Sequence, residues 1–338
     1  MRLLIATDFH FGLSRKANFT AESNQRREAV SRQLLQHLLQ TPHDVAICVG
    51  DVYDRFSNPE TVILETAPLL RHFQAVLAGN HDLSNRDDVR GSLDVLSELL
   101  PGVVISGAPQ WRRFGRVAAC FVPHQLTQEA FENALEQVLG EAQALAEPVW
   151  KFLFLHCTYD IPHEVAVSSL NLSEARATSL LGAFHKVFLG HEHNPRDLFD
   201  DRLHIIGSHF PVAFDQMVDH RHLIFDDETG SLESIVHWRA IDHAYCGSDD
   251  TAPPQRQFYD LTSCADARTP LRLFKMGALG VRVRDSGGRT TDLPASEARQ
   301  TLSLPDQVRA LLNERHPKLV ALWESVLREI TTDMPEQR

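Results

Sequence analysis

The stretch Val45-Ala46-Ile47-Cys48-Val49-Gly50-Asp51-Val52-Tyr53-Asp54 decides the fold: five apolar residues run into a glycine and then two acids. A short β-prone run closed by a turn residue reads as a buried strand. Four more runs end the same way. Leu3-Leu4-Ile5-Ala6-Thr7 leads into Asp8-Phe9-His10, and Ala75-Val76-Leu77-Ala78 into Gly79-Asn80-His81-Asp82. Phe152-Leu153-Phe154-Leu155 stops at His156, and Val187-Phe188-Leu189 at Gly190-His191-Glu192-His193. In α/β sheets, ligands gather at the carboxyl ends of the strands. Five strand ends would therefore carry Asp, His and Asn to one rim. That pattern predicts a metal site.

Helical periods fill the gaps. Glu22 to Leu39 repeats apolar residues at helical spacing, as does Thr127 to Ala146, and a shorter helix spans Ser173 to Phe184. Asn58 and Pro59 suit the cap and first position of another helix, and Asp87 or Asp88 the opening of one that ends before Pro101. After His193 the pattern turns to consecutive strands, at Leu203–Ile206, His222–Phe225 and Ser234–Trp238. From Cys246 to Gln257 the chain is rich in Gly, Ser, Asp and Pro; alternation returns in Leu279–Arg284, and apolar stripes at helical spacing run from Asp306 to Ile330. The expected organisation is an α/β domain over residues 1–245, a linker and small β-containing cap over 246–303, and C-terminal helices over 304–338.

Composition sets limits. The 338 residues are 43% hydrophobic and 23% charged, as in a soluble globular chain. No apolar run is long enough to span a bilayer, which predicts a chain without a membrane anchor. Five scattered cysteines with no C-x-x-C pair argue against a disulfide scaffold and suit the reduced thiols of a cytoplasm. The net charge of -12 weighs against a nucleic-acid partner for this chain alone, because phosphate contacts call for a basic face. Bound divalent cations would cancel part of that charge.

Asp8, His10, Asp51, Asn80, His156, His191 and His193 form a mixed oxygen and imidazole set. Seven donors exceed the four that zinc usually takes. They suit two divalent ions about 4 Å apart with a carboxylate such as Asp51 between them, able to activate a shared water against phosphorus. The lack of ligating cysteine favours manganese or magnesium, while imidazoles also admit iron and zinc. A single histidine at a strand end is more often a hydrogen-bonded core residue, and with 18 histidines several must be bland. Five such ends in series are not bland.

At these residues the chain resembles the calcineurin-like metallophosphoesterase superfamily, whose blocks are D-x-H, G-D-x-x-D, G-N-H-[DE], H and G-H-x-H. The resemblance covers roughly residues 1–240 and implies a two-sheet sandwich flanked by helices. It implies that Asp8, His10 and His193 hold one ion, that Asn80, His156 and His191 hold the other, and that Asp51 lies between. It also implies that His81, oriented by Asp54, positions the phosphate and protonates the leaving oxygen.

Finer detail is similar to the Mre11/SbcD-type DNA-repair nucleases and the recombination exonuclease subunits of phages. Gly50 to Arg55 followed by Asn58-Pro59-Glu60 carries this, as does the tract from Ile206-Gly207-Ser208-His209-Phe210-Pro211 to Gly230. The resemblance implies a manganese-dependent nuclease acting on DNA beside a Rad50/SbcC-type coiled-coil ATPase docked on the C-terminal helices. It further implies a homodimer bundle near residues 59–100, although most of those side chains read first as facing the sheet. Departure from the family lies in the short, weakly patterned cap. Two alternatives remain open: hydrolysis of a small nucleotide or phosphoprotein, and a non-catalytic adaptor.

Overall fold

The computed structural model describes residues 1–15, 18–84, 89–145, 150–161, 169–214, 216, 218–240, 244–248, 257–263, 268–284 and 290–291. Met1–Thr291 and Asp292–Arg338 are separate compact units; the second, and with it the helices expected over 304–338, lies outside the described residues.

In chain order the elements begin β1 (Arg2–Ala6), α1 (Ala21–Leu38), β2 (Val45–Cys48), α2 (Glu60–Leu70), β3 (Ala75–Leu77), α3 (Ser92–Leu99) and β4 (Val104–Ile105). Then come β5 (Gln110–Phe114), β6 (Val117–Val122), α4 (Gln128–Ala144), β7 (Trp150–His156), β8 (Thr158–Tyr159), β9 (Asn171–Leu172), α5 (Glu174–Leu181) and β10 (Lys186–Gly190). The remainder are β11 (Arg196–Leu198), β12 (Leu203–Ile205), β13 (His220–Asp226), β14 (Leu232–Trp238), β15 (Ala244–Ser248), β16 (Phe258–Ser263), α6 (Thr269–Lys275), β17 (Gly280–Arg284) and β18 (Thr290–Thr291).

Two six-stranded sheets, ordered β14-β13-β1-β2-β3-β4 and β11-β12-β10-β7-β6-β5, stack face to face. Strand alternation divides the core into layers. Leu3 and Ile5 of β1 point between the sheets, meeting Ile47, Leu77, Phe121, Phe152, Phe154, Phe188 and Phe225. Leu4 and Ala6 point outward under α1, α2 and α3, against Leu35, Leu70 and Leu96. On the far side, Leu153, Leu155, Val187 and Leu189 pack against Phe131, Leu135 and Val138 of α4 and Leu180 of α5. Strands covered on both faces have no polar face, which is why these runs are apolar without a break. Phe154 stacks between Phe121 and Phe188, with centroids 4.9 and 5.1 Å away. Each such ring contributes about 1.5–3 kcal/mol by leaving water. The sandwich expected from the sequence is the fold observed.

Local chemistry sets the helix starts. Thr127 caps α4 by accepting the Ala130 N–H at 3.1 Å, and Ser173 caps α5 through the Arg176 N–H at 3.3 Å. Two starts differ from expectation. Pro59 rather than Asn58 precedes α2: Asn58 Nδ2 donates to the Arg55 carbonyl and Ser92 Oγ, and its Oδ1 accepts from no helix N–H. α3 begins at Ser92, where Asp94 accepts the Gly91 N–H at 2.6 Å; Asp87 and Asp88 lie outside the described residues. The β5–β6 hairpin, unread in the sequence, supplies one edge of the second sheet.

Beyond the sandwich, β15-β16-β17-β18 form a small sheet, parallel except for its last pair. Phe258 and Leu279 dock it onto Phe210, Phe214 and Trp238, beside Phe19, Val30 and Leu34.

Candidate metal centre

All five strand ends open onto one rim, and the backbone there is bent to fit. Asp8, His10, Asp51 and His191 have φ of +53°, +47°, +49° and +86°. Left-handed backbone at four non-glycine residues costs free energy and persists only where the surroundings enforce it, commonly at functional sites. Enforcement here comes from neighbouring ends: the Asp8 N–H donates to the Gly50 carbonyl at 3.0 Å, and His10 N–H to the Asp51 carbonyl at 3.1 Å. Glycines leave room for this approach. A Cβ on Gly79 would collide with the Asp51 carboxylate and backbone nitrogen, and one on Gly190 would strike the Val49 carbonyl and Thr7 hydroxyl.

The seven expected donors converge. Asp8, His10 and His193 form one group: His10 Nε2 lies 3.0 Å from His193 Nε2, and each lies 3.7 Å from Asp8 Oδ1. Asp51, His156 and His191 form a second, which Asn80 joins through Oδ1, 3.0 Å from His156 Nε2 and 2.8 Å from His191 Nδ1. Asp51 spans both, with Oδ1 3.3 Å from His156 Nε2 and Oδ2 3.7 Å from His10 Nε2. Asp8, His10, Asp51 and His156 are buried, 2% exposed or less. Asp51 Oδ2 has no hydrogen-bond partner among the described residues. An orphaned carboxylate oxygen facing clustered imidazole nitrogens calls for a cation, and the donor set fits a pair of divalent ions.

Electrostatics separate the imidazoles. Burial acts to lower His10, but the Asp54 and Asp8 carboxylates, 3.5 and 3.7 Å from its ring nitrogens, and the Asp51 charge raise it to about 10. His156, likewise opposed by burial, is raised by Asp51 to about 9. Burial pushes His191 and His193 down to about 4. Despite its burial, Asp51 is held below the usual carboxylate range by His156, His10 and His81.

His81 stands at the open side, its side chain 37% exposed, with Nε2 4.0 Å from Asp51 Oδ2. Asp54 aligns it through the main chain: His81 Nδ1 lies 2.7 Å from the Asp54 carbonyl oxygen. The Asp54 carboxylate, expected to orient His81, is instead turned to Arg15 and His10.

Supporting residues escaped the sequence reading. Ser169 Oγ lies 3.1 Å from His191 Nε2, the Gln216 side chain sits against His193 Nδ1, and the Val49 carbonyl is 2.8 Å from His156 Nδ1. Such partners fix which ring nitrogen faces a metal. Asp82, quoted in its motif but given no role, accepts the N–H groups of Gly79 and Tyr53 and ties two rim loops together. Burial and the Asp51 charge raise it to about 7.

The family model for calcineurin-like phosphoesterase matches residues 1–195. The chain belongs to the calcineurin-like phosphoesterase family. Members of this family are metal-dependent hydrolases of phosphoesters, which accords with the donor set.

No curated protein matches the chain. Solved structures that resemble it include the phosphopantetheinyl hydrolase PptH of Mycobacterium tuberculosis, at 15% identity over 69% of this chain and 95% of that one, TM-score 0.42. A Staphylococcus aureus protein provisionally named a 5′-nucleotidase matches at 14% identity over 70% of this chain and 52% of its own, TM-score 0.41. The purple acid phosphatase PPD1 of yellow lupin matches at 12% identity over 69% and 52%, TM-score 0.41. The match spans about half the length of the last two. No helix among the described residues is long and apolar enough to cross a membrane.

Proposed function

We propose that this family member is a two-metal phosphodiesterase and that its substrate is DNA. The observation that carries the first part is the pair of donor groups joined by Asp51, with His81 on the open side. Asp8, His10 and His193 would hold one ion, Asn80, His156 and His191 the other, and Asp51 both. When bound, the ions supply Lewis-acid charge and water activation, with manganese the best fit to oxygen and imidazole donors. The chain's own side chains do the rest. His81 donates from Nδ1 to the Asp54 carbonyl, which leaves Nε2 free to hold a proton for the leaving oxygen. Asp51, held ionised, faces that imidazole with Oδ2 4.0 Å from Nε2.

Support for DNA comes from the tract that resembles the Mre11/SbcD-type nucleases. It wraps the centre: Ser208 N–H donates to the His193 carbonyl at 3.1 Å, and His209 N–H to the Asp8 carbonyl at 3.2 Å. On the same resemblance, a Rad50/SbcC-type ATPase would dock on residues 304–338 and supply the basic surface this acidic chain lacks. A homodimer would use α2 and α3, where Leu64, Val95 and Leu99 are exposed while Ile63, Leu70, Leu93 and Leu96 are buried. A second reading, hydrolysis of a small nucleotide or phosphoprotein, is favoured by the charge of -12, which repels a polyanion.

The test is hydrolysis by the Mn(II)-loaded protein of linear duplex DNA, bis(p-nitrophenyl) phosphate and a nucleoside monophosphate. Release of nucleotides from DNA, abolished in His81→Ala, supports the nuclease. Rapid turnover of the monophosphate with DNA left intact overturns it in favour of the second reading. Absence of hydrolysis with every divalent metal would leave only an adaptor.

A further inference from the structure

Asp54 is 1% exposed, and one cation takes both of its oxygens: Arg15 Nη1 donates to Oδ2 at 2.9 Å and Nη2 to Oδ1 at 3.0 Å. The same Oδ1 lies 3.5 Å from Nδ1 of His10, whose Nε2 faces Asp8, Asp51 and His193. Arg15, Asp54 and His10 thus stand in line from the surface to a donor nitrogen, the last step a 3.5 Å charge contact rather than a hydrogen bond. Arg15 is itself clamped through its main chain to α1, where Asn24 Oδ1 accepts its N–H at 3.3 Å and Asn24 Nδ2 donates to its carbonyl at 2.8 Å.

The other end of this clamp reaches the small sheet. Two residues along α1, Arg26 donates from Nη2 to the carbonyls of Phe274 and Ala278, at 2.9 and 3.3 Å. Asn18 accepts the Val281 N–H of β17 at 3.1 Å. Phe19 packs on Phe214 with centroids 5.7 Å apart, and lies so close to Gly280 that a Cβ there would sit 2.7 Å from Phe19 Cε1.

We propose that Arg15 is a positioning residue for the metal centre, and that α1, with Asn18 and Phe19 ahead of it, transmits the seating of the small sheet to His10. The inference rests on the two-metal reading above. A bidentate guanidinium holds a carboxylate in one plane, which aims Oδ1 at the His10 ring. Without Arg15, the remaining arginine within 4 Å of that carboxylate among the described residues is Arg55, 3.9 Å away and 55% exposed, a poor substitute. Lysine keeps the charge at position 15 but loses the fork.

Metal-stripped full-length protein titrated with MnCl2 in a calorimeter tests this. Arg15→Ala is expected to weaken the ion held by Asp8, His10 and His193 by about 10–100-fold, the usual cost of losing a supporting partner, while the other ion binds as before. Arg15→Lys should recover part of the loss. Gly280→Ala, remote from every donor, should weaken the same ion, and adding it to Arg15→Ala should cost nothing further, because both cut one line. Arg26→Ala repeats that arm without adding an atom if Gly280→Ala fails to fold. Unchanged affinities in Arg15→Ala, or an equal fall at both ions, overturn the positioning role. Normal binding in both Gly280→Ala and Arg26→Ala overturns the transmission. Wild-type protein that takes up no Mn(II) removes the metal centre, and this inference with it.

Discussion

The metal-free centre holds protons that metal must displace, and the structure says how many. His10 is raised to about 10, so at pH 7 its protonated form outweighs the neutral one by about 1000 to 1. For His156, raised to about 9, the ratio is about 100 to 1. His191 and His193, near 4, are already neutral. Loading both donor groups therefore releases about two protons, and the product of the two binding constants should climb about 100-fold per pH unit between 7 and 9, or ~2.7 kcal/mol per unit. The climb should fall to about tenfold per unit up to pH 10 and then stop. Mn(II) titrations at pH 7 in buffers of different ionisation enthalpy count the protons directly. A count near zero, or affinity flat from pH 7 to 9, would refute the buried charge arrangement.

The same shifts fix the sign of the stability change. His10 and His156 have folded pKa values above the ordinary 6.5, so their contribution is fully present below 6.5 and is lost as pH rises through 9 and 10. His191 and His193 are lowered, so stability is lost as pH falls from 6.5 toward 4. Metal-free protein should melt highest near pH 6.5, and saturating Mn(II) should abolish the alkaline fall.

Three substitutions probe other links. His81→Ala should retain both ions by calorimetry while kcat drops by about 10²–10⁴, the usual worth of a general acid. Gly79→Ala drives a methyl into the Asp51 carboxylate, and Mn(II) uptake should fall at both ions because Asp51 serves both. Phe154→Ala empties the middle of the Phe121–Phe154–Phe188 stack; urea unfolding should show a loss of about 3–5 kcal/mol, with little change in the metal stoichiometry of the folded fraction.

The donors were legible in the sequence because each ends an apolar run, and the two properties together exceed what core packing requires. Val45–Val49 had to be a buried strand, so Asp51 had to stand at its carboxyl end; the same logic places His156 after Phe152–Leu155. Val117–Val122, equally apolar and wholly buried, runs into Pro123-His124; that imidazole stands beside the centre, Nδ1 3.4 Å from the His156 carbonyl oxygen, yet joins no donor group among the described residues. The supporting contacts are harder for a physical reason. Arg15 reaches Asp54 across 39 residues, and Gln216 reaches His193 across 23, through approaches that only the packed sheets define. Asp54 shows the limit most sharply. Its place beside His81 follows from the motif, but which of its atoms faces the imidazole depends on whether a cation elsewhere claims the carboxylate. Arg15 does so with two hydrogen bonds, each charge-assisted, and leaves the carbonyl for His81. Motifs record which residues meet; the competition among their polar atoms is settled only after the chain has folded.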